Sequence, residues 1–161
     1  LYSNYVDTRA AAWNLAPPVS EDPSDQEQGM ADNGKYQVVY IEDDPDMIDL
    51  VRIILDQERF DVVGATDGQT GLELMQNAPP DLVLLDLMLP DMGGWAVYQA
   101  MKENDDLSAI PVIVITAQST PIDRILGEHI AKVQVYLTKP FSPHELRSAV
   151  NLVLDLDLQP L

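Results

Sequence analysis

The sequence predicts an α/β fold in which a parallel β-sheet of five strands is covered by helices on both faces. Three observations predict it. Five short apolar runs between residues 36 and 158 have the length and composition of buried strands. An amphipathic stretch of ten or more residues follows each run. Strict alternation of strands and helices is typical of parallel sheets, because each connection must cross a face of the sheet.

The predicted strands are runs of four to six residues, several of them rich in β-branched side chains, and Asp, Pro or Gly bounds each run. Continuous apolar runs, without polar alternation, are typical of strands that are buried on both faces of a sheet. The five predicted strands are Gln37–Ile41, Phe60–Ala65, Leu82–Leu85, Val112–Ile115 and Val133–Leu137.

Capping signals and apolar periodicity predict five helices. Asp44 precedes Pro45 as an N-cap residue followed by proline at the first helical position. Ser142 and Glu145 form a capping box around Pro143 at the start of the last helix. Helices are also predicted over residues 68–77, 93–104 and 120–131. With right-handed connections, this order predicts a flavodoxin-like, doubly wound sheet with strand order 2-1-3-4-5.

Residues 1–35 differ in composition from the rest of the chain and predict an N-terminal extension before a single domain at residues 36–158. Apolar residues from Tyr2 to Trp13 recur at helical spacing, and an acidic linker containing Gly and Pro follows. The short helix is expected to be the end of an upstream domain, or to dock on this domain or on a second copy. Because Leu1 and not methionine opens the sequence, we expect a longer chain.

The acidic composition excludes several classes of function. The chain has 27 Asp and Glu residues against nine Lys and Arg residues, a net charge of −18. Such a charge repels nucleic acid and anionic lipid headgroups, so we expect this chain to bind neither. The absence of cysteine excludes disulfides and thiolate metal sites. No apolar run reaches 18 residues and no secretory signal is recognisable, so we expect a cytoplasmic protein without a membrane-spanning helix.

Three carboxylates follow the ends of two predicted strands that lie side by side in this strand order. Glu42 and Asp43 follow the first strand, and Asp86 follows the third. Ligands bind at this edge of a doubly wound sheet, where the strand order reverses. Clustered carboxylates repel one another unless a cation joins them, and Mg²⁺ prefers such oxygen ligands. The neighbouring Asp44 is expected to cap the helix instead of binding metal.

A hydroxyl group and an ammonium group are predicted at the same edge of the sheet. Thr116 follows the fourth strand and Lys139 follows the fifth. A carboxylate beside Mg²⁺ and an ammonium group is equipped to attack a phosphoryl group, because both cations neutralise the phosphoryl oxygens. The arrangement therefore predicts phosphoryl chemistry on an aspartate.

Four segments carry these residues, each at the end of a predicted strand. They are VVYIEDDPDM at residues 38–47, PDLVLLDLMLPDMGG at 80–94, PVIVITA at 111–117 and YLTKPF at 136–141. Each segment alone is common, but all four occur in order. Together they resemble the response-regulator receiver domain, the CheY-like family of two-component signalling, and the resemblance covers residues 37–155.

The resemblance implies a role for each residue at the acidic end of the site. Asp86 matches the phosphoacceptor, and Asp43 matches the carboxylate that binds Mg²⁺ directly. Glu42 matches the acidic residue that acts on Mg²⁺ through water. The backbone carbonyl of Met88 matches the third protein ligand of the metal.

The resemblance also implies roles for four residues of the last two strands. Lys139 matches the lysine that forms a salt bridge at the site, and its bond to Pro140 is expected to be cis. Thr116 matches the hydroxyl group that contacts the phosphoryl group and moves on activation. Tyr136 matches the aromatic residue whose rotamer follows that movement. Two plainer interpretations stay open, in which Thr116 bonds a loop backbone group and Tyr136 is fixed core filling.

By the same resemblance, the chain is a phosphorylation switch and not a conventional enzyme. A sensor histidine kinase or a histidine phosphotransfer protein donates the phosphoryl group. The surface formed by the predicted helix at 120–131, the fifth strand and the last helix then changes shape. Output passes to a downstream protein target or to an upstream domain of the same chain, and homodimer formation is left open.

Two features depart from the family pattern. Residues 129–135 stand where the family has a small Gly-Ala pair, and Thr116 and Lys139 are 23 positions apart, one more than is common. The predicted helix at 120–131 is therefore expected to be reshaped. One alternative is a degenerate receiver that acts as a phosphorylation-independent docking module. Another is a haloacid-dehalogenase-like phosphatase, which would need an aspartate where Met88 stands.

Overall fold

The computed structural model describes residues 34–55, 57, 59–117, 133 and 135–156. The extension before residue 34 and the predicted helix over residues 120–131 lie outside the described residues. The division of the chain at residue 35 therefore stays a prediction, as does the end of the domain at residue 158.

The described residues form the predicted parallel sheet. Its five strands lie in the order β2-β1-β3-β4-β5, and every neighbouring pair is parallel. This confirms the strand order expected from the sequence. The strands are β1 Tyr36–Ile41, β2 Phe60–Ala65, β3 Leu82–Leu85, β4 Val112–Thr116 and β5 Val135–Thr138.

Four helices, not the predicted five, lie in the described part of the chain. They are α1 Pro45–Ile54, α2 Gly68–Asn77, α3 Gly94–Glu103 and α4 Pro143–Val153. The remaining predicted helix falls on residues 120–131. Both predicted caps are confirmed: the Asp44 carboxylate accepts a hydrogen bond from the Asp46 amide, and Ser142 and Glu145 form the capping box of α4. None of these helices is long and apolar enough to cross a membrane.

Several element boundaries differ by one or two residues from the predictions. Pairing of β5 begins at Val135, opposite Ile113, and not at Val133. Val133 is nevertheless buried. The apolar pattern therefore indicated correctly that Val133 is buried, but burial does not require that it pairs with β4. Helix α3 begins at Gly94, because Gly93 has an extended backbone as its N-cap residue. Strands β1 and β4 are each one residue longer than predicted.

Alternate residues of the inner strands β1, β3 and β4 face two separate hydrophobic layers, which explains why these strands are continuous apolar runs, whereas the edge strand β2 exposes Asp61 and Val63. On the face covered by α2 and α3, the layer includes Ile41, Leu72, Met75, Leu85 and Met101. On the face covered by α1 and α4, it includes Tyr40, Val51, Leu84, Ile115 and Leu146. The inner strands are therefore buried on both sides, and the carboxyl-terminal edge of the sheet is where buried polar groups gather.

The start of α3 lies directly against the backbone that follows β3. The Gly94 amide donates a hydrogen bond to the Leu87 carbonyl at 3.0 Å. A Cβ atom at Gly94 would overlap the Asp86 carbonyl oxygen and come within 2.6 Å of the Leu87 Cα. Backbone atoms cannot move aside as a flexible side chain can. Glycine at this position is thus required for the close approach that fixes the backbone of Asp86.

An aspartate of the loop after β3 also caps a neighbouring helix. The Asp91 carboxylate accepts hydrogen bonds from the amides of Gly68 at 3.0 Å and Gln69 at 3.1 Å, which are the first residues of α2. The Gly68 and Met92 amides are the main reasons that the pKa of Asp91 is lowered. The loop that begins at Asp86 is therefore tied to α2 as well as to α3.

We expect Gly94→Ala to lower the free energy of unfolding by about 2 kcal/mol, because the added methyl group meets backbone that cannot repack. Gly93→Ala is the matched control, since nothing lies within 4 Å of a Cβ atom there and its backbone angles suit alanine. It should cost less than Gly94→Ala, about 0.5 to 1 kcal/mol, because alanine is a poorer N-cap residue than glycine but meets no neighbouring atom. Urea unfolding of both variants measures the difference, and equal effects would contradict the argument.

We expect the stabilising effect of Asp91 to depend on pH in the acid range. The unfolded chain protonates an aspartate at about pH 3.9, whereas the folded value is lower, so the contribution is complete above that pH and is lost as the pH falls further. The difference in unfolding free energy between wild type and Asp91→Asn should therefore shrink below about pH 4. Asp61→Asn, at an exposed carboxylate of β2, controls for the loss of one negative charge. A difference that stays constant with pH would contradict the role of the carboxylate.

Candidate functional site

Two neighbouring strands bring three carboxylates together at the carboxyl-terminal edge of the sheet. Ile41 and Leu85 are paired in the register of β1 and β3, so the residues that follow them come side by side. The ladder continues one residue further, because the Asp86 amide donates to the Ile41 carbonyl at 3.0 Å. Glu42, Asp43 and Asp86 each place a carboxylate oxygen within 4.8 Å of the others.

The three carboxylates differ in their exposure to solvent. Glu42 and Asp86 are buried, with 1% and 3% of their surfaces exposed, whereas Asp43 is exposed. Burial of two neighbouring carboxylates is costly unless each is hydrogen-bonded and a positive charge lies near them. Asp43 therefore presents the open side of the cluster, and the other two form its floor.

Lys139 supplies the positive charge between the two buried carboxylates. Its ammonium group donates to Glu42 Oε2 at 2.5 Å and to Asp86 Oδ2 at 2.7 Å. The Lys139 amide donates to the Thr116 carbonyl at 3.0 Å, which extends the pairing of β5 with β4 beyond Thr138. The peptide bond between Lys139 and Pro140 is cis. One side chain thus links the ends of β1, β3 and β5.

Burial and pairing oppose each other in setting the charges at this site. Burial raises the pKa of the Glu42 carboxyl group, although hydrogen bonds from Lys139 and Tyr40 and the charge of Lys139 lower it in part. Burial disfavours the charge of Lys139 too, but its hydrogen bonds to Asp86 and Glu42 outweigh that cost and raise the pKa of Lys139. The ammonium group therefore stays charged at neutral pH.

Tyr40 is a site residue that sequence reasoning assigned only to a strand. It is completely buried, and its hydroxyl group donates to Glu42 Oε2 at 2.7 Å. Burial and this hydrogen bond raise the pKa of Tyr40, so the phenol keeps its proton. A signal was present in the sequence: residues two apart on a strand share a face, and a buried tyrosine needs a partner for its hydroxyl group.

The loop after β3 holds Asp86 through its own backbone. The Met88 amide donates to Asp86 Oδ1 at 2.9 Å, so the two oxygens of this carboxylate have separate partners in Met88 and Lys139. The Met88 side chain is largely exposed. The expected role of the Met88 carbonyl as a metal ligand stays a prediction.

The other residues singled out from the sequence lie around this cluster. Thr116 is buried as the last residue of β4. Tyr136 is partly buried on β5, opposite Val114, and packs on the layer formed with α2 and α3. Asp44 lies next to the cluster but its carboxylate caps α1. The roles of Thr116 and Tyr136 in switching stay predictions.

The donor set fits a hard divalent cation. It consists only of carboxylate oxygens, which Mg²⁺ prefers. Lys139 occupies one oxygen each of Glu42 and Asp86, while the exposed Asp43 offers an accessible carboxylate on the solvent side. With three carboxylates and one ammonium group, the cluster keeps excess negative charge that a cation would neutralise.

Known proteins with related sequences include several signalling proteins. The sensor histidine kinase TmoS of Ectopseudomonas mendocina is 37% identical over 123 residues, which cover 76% of this chain and 12% of TmoS. The DNA-binding dual master transcriptional regulator RpaA of Synechocystis is 38% identical over 118 residues, which cover 73% of this chain and 48% of RpaA. The chain therefore spans about half, or less, of the length of these relatives.

Solved structures share the fold. The signal receiver domain of a signal transduction histidine kinase from Syntrophus aciditrophicus has a TM-score of 0.67 and 25% identity, covering 78% of this chain and 94% of that one. The N-terminal domain of a response regulator receiver protein from Methanoculleus marisnigri has a TM-score of 0.59 and 32% identity, covering 74% of this chain and 96% of that one. Residues 38–151 match the response regulator receiver domain, and the chain belongs to that family.

Proposed function

We propose that this chain is a phosphoryl-accepting switch in which Asp86 is the phosphoacceptor and Mg²⁺ is the cofactor. The observation that carries the proposal is the position of Asp86, whose carboxylate is buried at the end of β3, bonded to Lys139 and clustered with Glu42 and Asp43. Membership of the receiver domain family supports the same role. As a phosphoacceptor, the chain takes part in its own phosphorylation and does not turn over an outside substrate.

The proposed reaction is transfer of a phosphoryl group from phosphohistidine to Asp86. A carboxylate oxygen of Asp86 forms a bond to phosphorus as the bond from phosphorus to the imidazole nitrogen breaks, and the departing nitrogen takes up a proton. Asp43, Glu42 through water, and the Met88 carbonyl would hold Mg²⁺. When bound, Mg²⁺ would neutralise the negative charge on the phosphoryl oxygens.

The new phosphoryl group changes the partners of the residues around it. Lys139 already donates to Asp86, so its ammonium group is placed to follow the added negative charge. Thr116 contacts the phosphoryl group, and Tyr136 turns inward behind it. The surface of β5 and α4, together with the helix that the sequence predicts over residues 120–131, then changes shape, because the anion bonds better to one of two conformations.

The proposed partners follow from this chemistry. The donor is a sensor histidine kinase or a histidine phosphotransfer protein, and we place the chain in the cytoplasm with them. The receiver of the signal is a protein target or another domain of a longer chain. Nucleic acid is not an expected ligand of these residues, because the net charge is −18. RpaA is named as a DNA-binding regulator, but this chain matches only about half of it.

Intact-mass analysis after incubation with acetyl phosphate and Mg²⁺ tests the proposal. We expect the wild type to gain one phosphoryl group, and Asp86→Asn to gain none, because the amide oxygen is a poor nucleophile. Asp61→Asn is the matched control and should be phosphorylated like the wild type, since this carboxylate is exposed on β2. Chelation of Mg²⁺ should abolish the gain in the wild type and in Asp61→Asn.

Two results would contradict the proposed phosphoryl transfer. A phosphoryl group on Asp86→Asn would assign the reaction to another residue. A wild type that binds Mg²⁺ and gains no phosphoryl group from acetyl phosphate or from phosphohistidine would favour the alternative, a receiver that serves as a docking module without phosphorylation.

A further inference from the structure

Among the described residues that form the buried part of its hydrophobic layer, Tyr40 alone carries a polar side-chain group. It lies on the face of the sheet covered by α1 and α4, in a layer whose other buried members are aliphatic apart from Phe60. Burial of a hydroxyl group there is costly unless a hydrogen bond compensates. Packing alone does not require the hydroxyl group, because phenylalanine would fill almost the same volume. Its single described partner is Glu42 Oε2, at 2.7 Å.

The Glu42 carboxylate is held from three directions. Oε2 accepts hydrogen bonds from the Tyr40 hydroxyl group and from Lys139, and Oε1 lies 3.3 Å from the Asp44 amide at the start of α1. Oε2 therefore accepts from two strong donors, whereas Oε1 has one long contact among the described residues. This arrangement fixes the plane of the carboxylate and leaves Oε1 as its weakly bonded oxygen.

The two donors to Oε2 are not equivalent. Lys139 is shared with Asp86 and sits at the end of a flexible side chain, so its position depends on the state of Asp86. The Tyr40 ring is fully buried and turns about only two bonds. Its hydroxyl group has Glu42 as its described partner and is not shared with Asp86, so it is the donor dedicated to this carboxylate.

We propose that Tyr40 is a positioning residue of the metal site, whose hydroxyl group orients the Glu42 carboxylate for Mg²⁺ and its bound water. The inference rests on the proposed function, since it assigns Glu42 to the metal. Groups that hydrogen-bond to metal-binding carboxylates fix their orientation, and their removal weakens metal binding by about 10- to 100-fold. Because Glu42 reaches the metal through water and Lys139 still holds this carboxylate, the lower end of that range is the most that we expect.

Calorimetric titration of the whole chain with Mg²⁺, without any phosphodonor, tests the proposal. We expect Tyr40→Phe to weaken Mg²⁺ binding about tenfold. Tyr36→Phe removes the same atom from the same strand and the same face, four residues from Tyr40, and should bind Mg²⁺ as the wild type does. Val38→Ala loosens that face between the two tyrosines without removing a donor, and it should also bind normally. Tyr40→Leu, which lacks the hydroxyl group too, provides a second variant if Tyr40→Phe folds poorly.

The dependence of phosphorylation rate on Mg²⁺ gives a second measurement. Tyr40→Phe should need about tenfold more Mg²⁺ for half of its maximal rate with acetyl phosphate, while the maximal rate stays near that of the wild type. A general loss of structure would lower the maximal rate instead.

Three outcomes would overturn the role of Tyr40. They are unchanged Mg²⁺ affinity in the variants that lack its hydroxyl group, an equal loss in Val38→Ala, and a wild type that does not bind Mg²⁺ at all. Failure of the proposed function is a separate result. A wild type that binds Mg²⁺ but accepts no phosphoryl group would refute phosphoryl transfer, and the calorimetric comparison would still decide the role of Tyr40.

Discussion

The ammonium group of Lys139, placed between two buried carboxylates, is the interaction on which the rest of the site depends. Glu42 and Asp86 lie on neighbouring strands with almost no access to water, and without a shared cation their charges would repel each other across the sheet. Lys139 bonds one oxygen of each. It stabilises the folded edge and leaves the other oxygens to further partners. Stability and chemistry therefore depend on the same side chain.

The backbone places these groups before any side chain interacts. Parallel strands bring their carboxyl ends to one edge, and the register that pairs Ile41 with Leu85 brings Glu42 beside Asp86. The segment after Asp86 is then held from two sides, by the contact at Gly94 and by the bonds from α2 to Asp91. A backbone held in this way would suit the proposed phosphoacceptor, because attack on phosphorus requires an oriented carboxylate.

Local signals in the sequence predicted most of this arrangement. The caps at Asp44 and Ser142 depend on residues two or three positions away, and the site carboxylates and Lys139 could be placed because each follows a strand. Contacts between residues far apart in the chain could not be predicted from the sequence. The bonds from Asp91 to α2 cross more than 20 positions, and the start of β5 pairing depends on its neighbour β4 and not on the burial of Val133. For Tyr40, its spacing from Glu42 signalled that the two side chains share a face, but the hydrogen bond between them also depends on a rotamer that a pattern of residue types does not specify.

Because Asp91 accepts hydrogen bonds from the first residues of α2, the N-terminus of this helix responds to movement of the site loop. The amide protons of Gly68 and Gln69 exchange with solvent only when their bonds to Asp91 open. Their exchange rates thus report the motion of the loop that carries Met88, although neither residue belongs to the acidic cluster. A rearrangement around Asp86 that pulls this loop would become visible at the beginning of α2, the helix that follows the edge strand β2. Information about the state of the site is in this way available at a helix that contributes no residue to the acidic cluster.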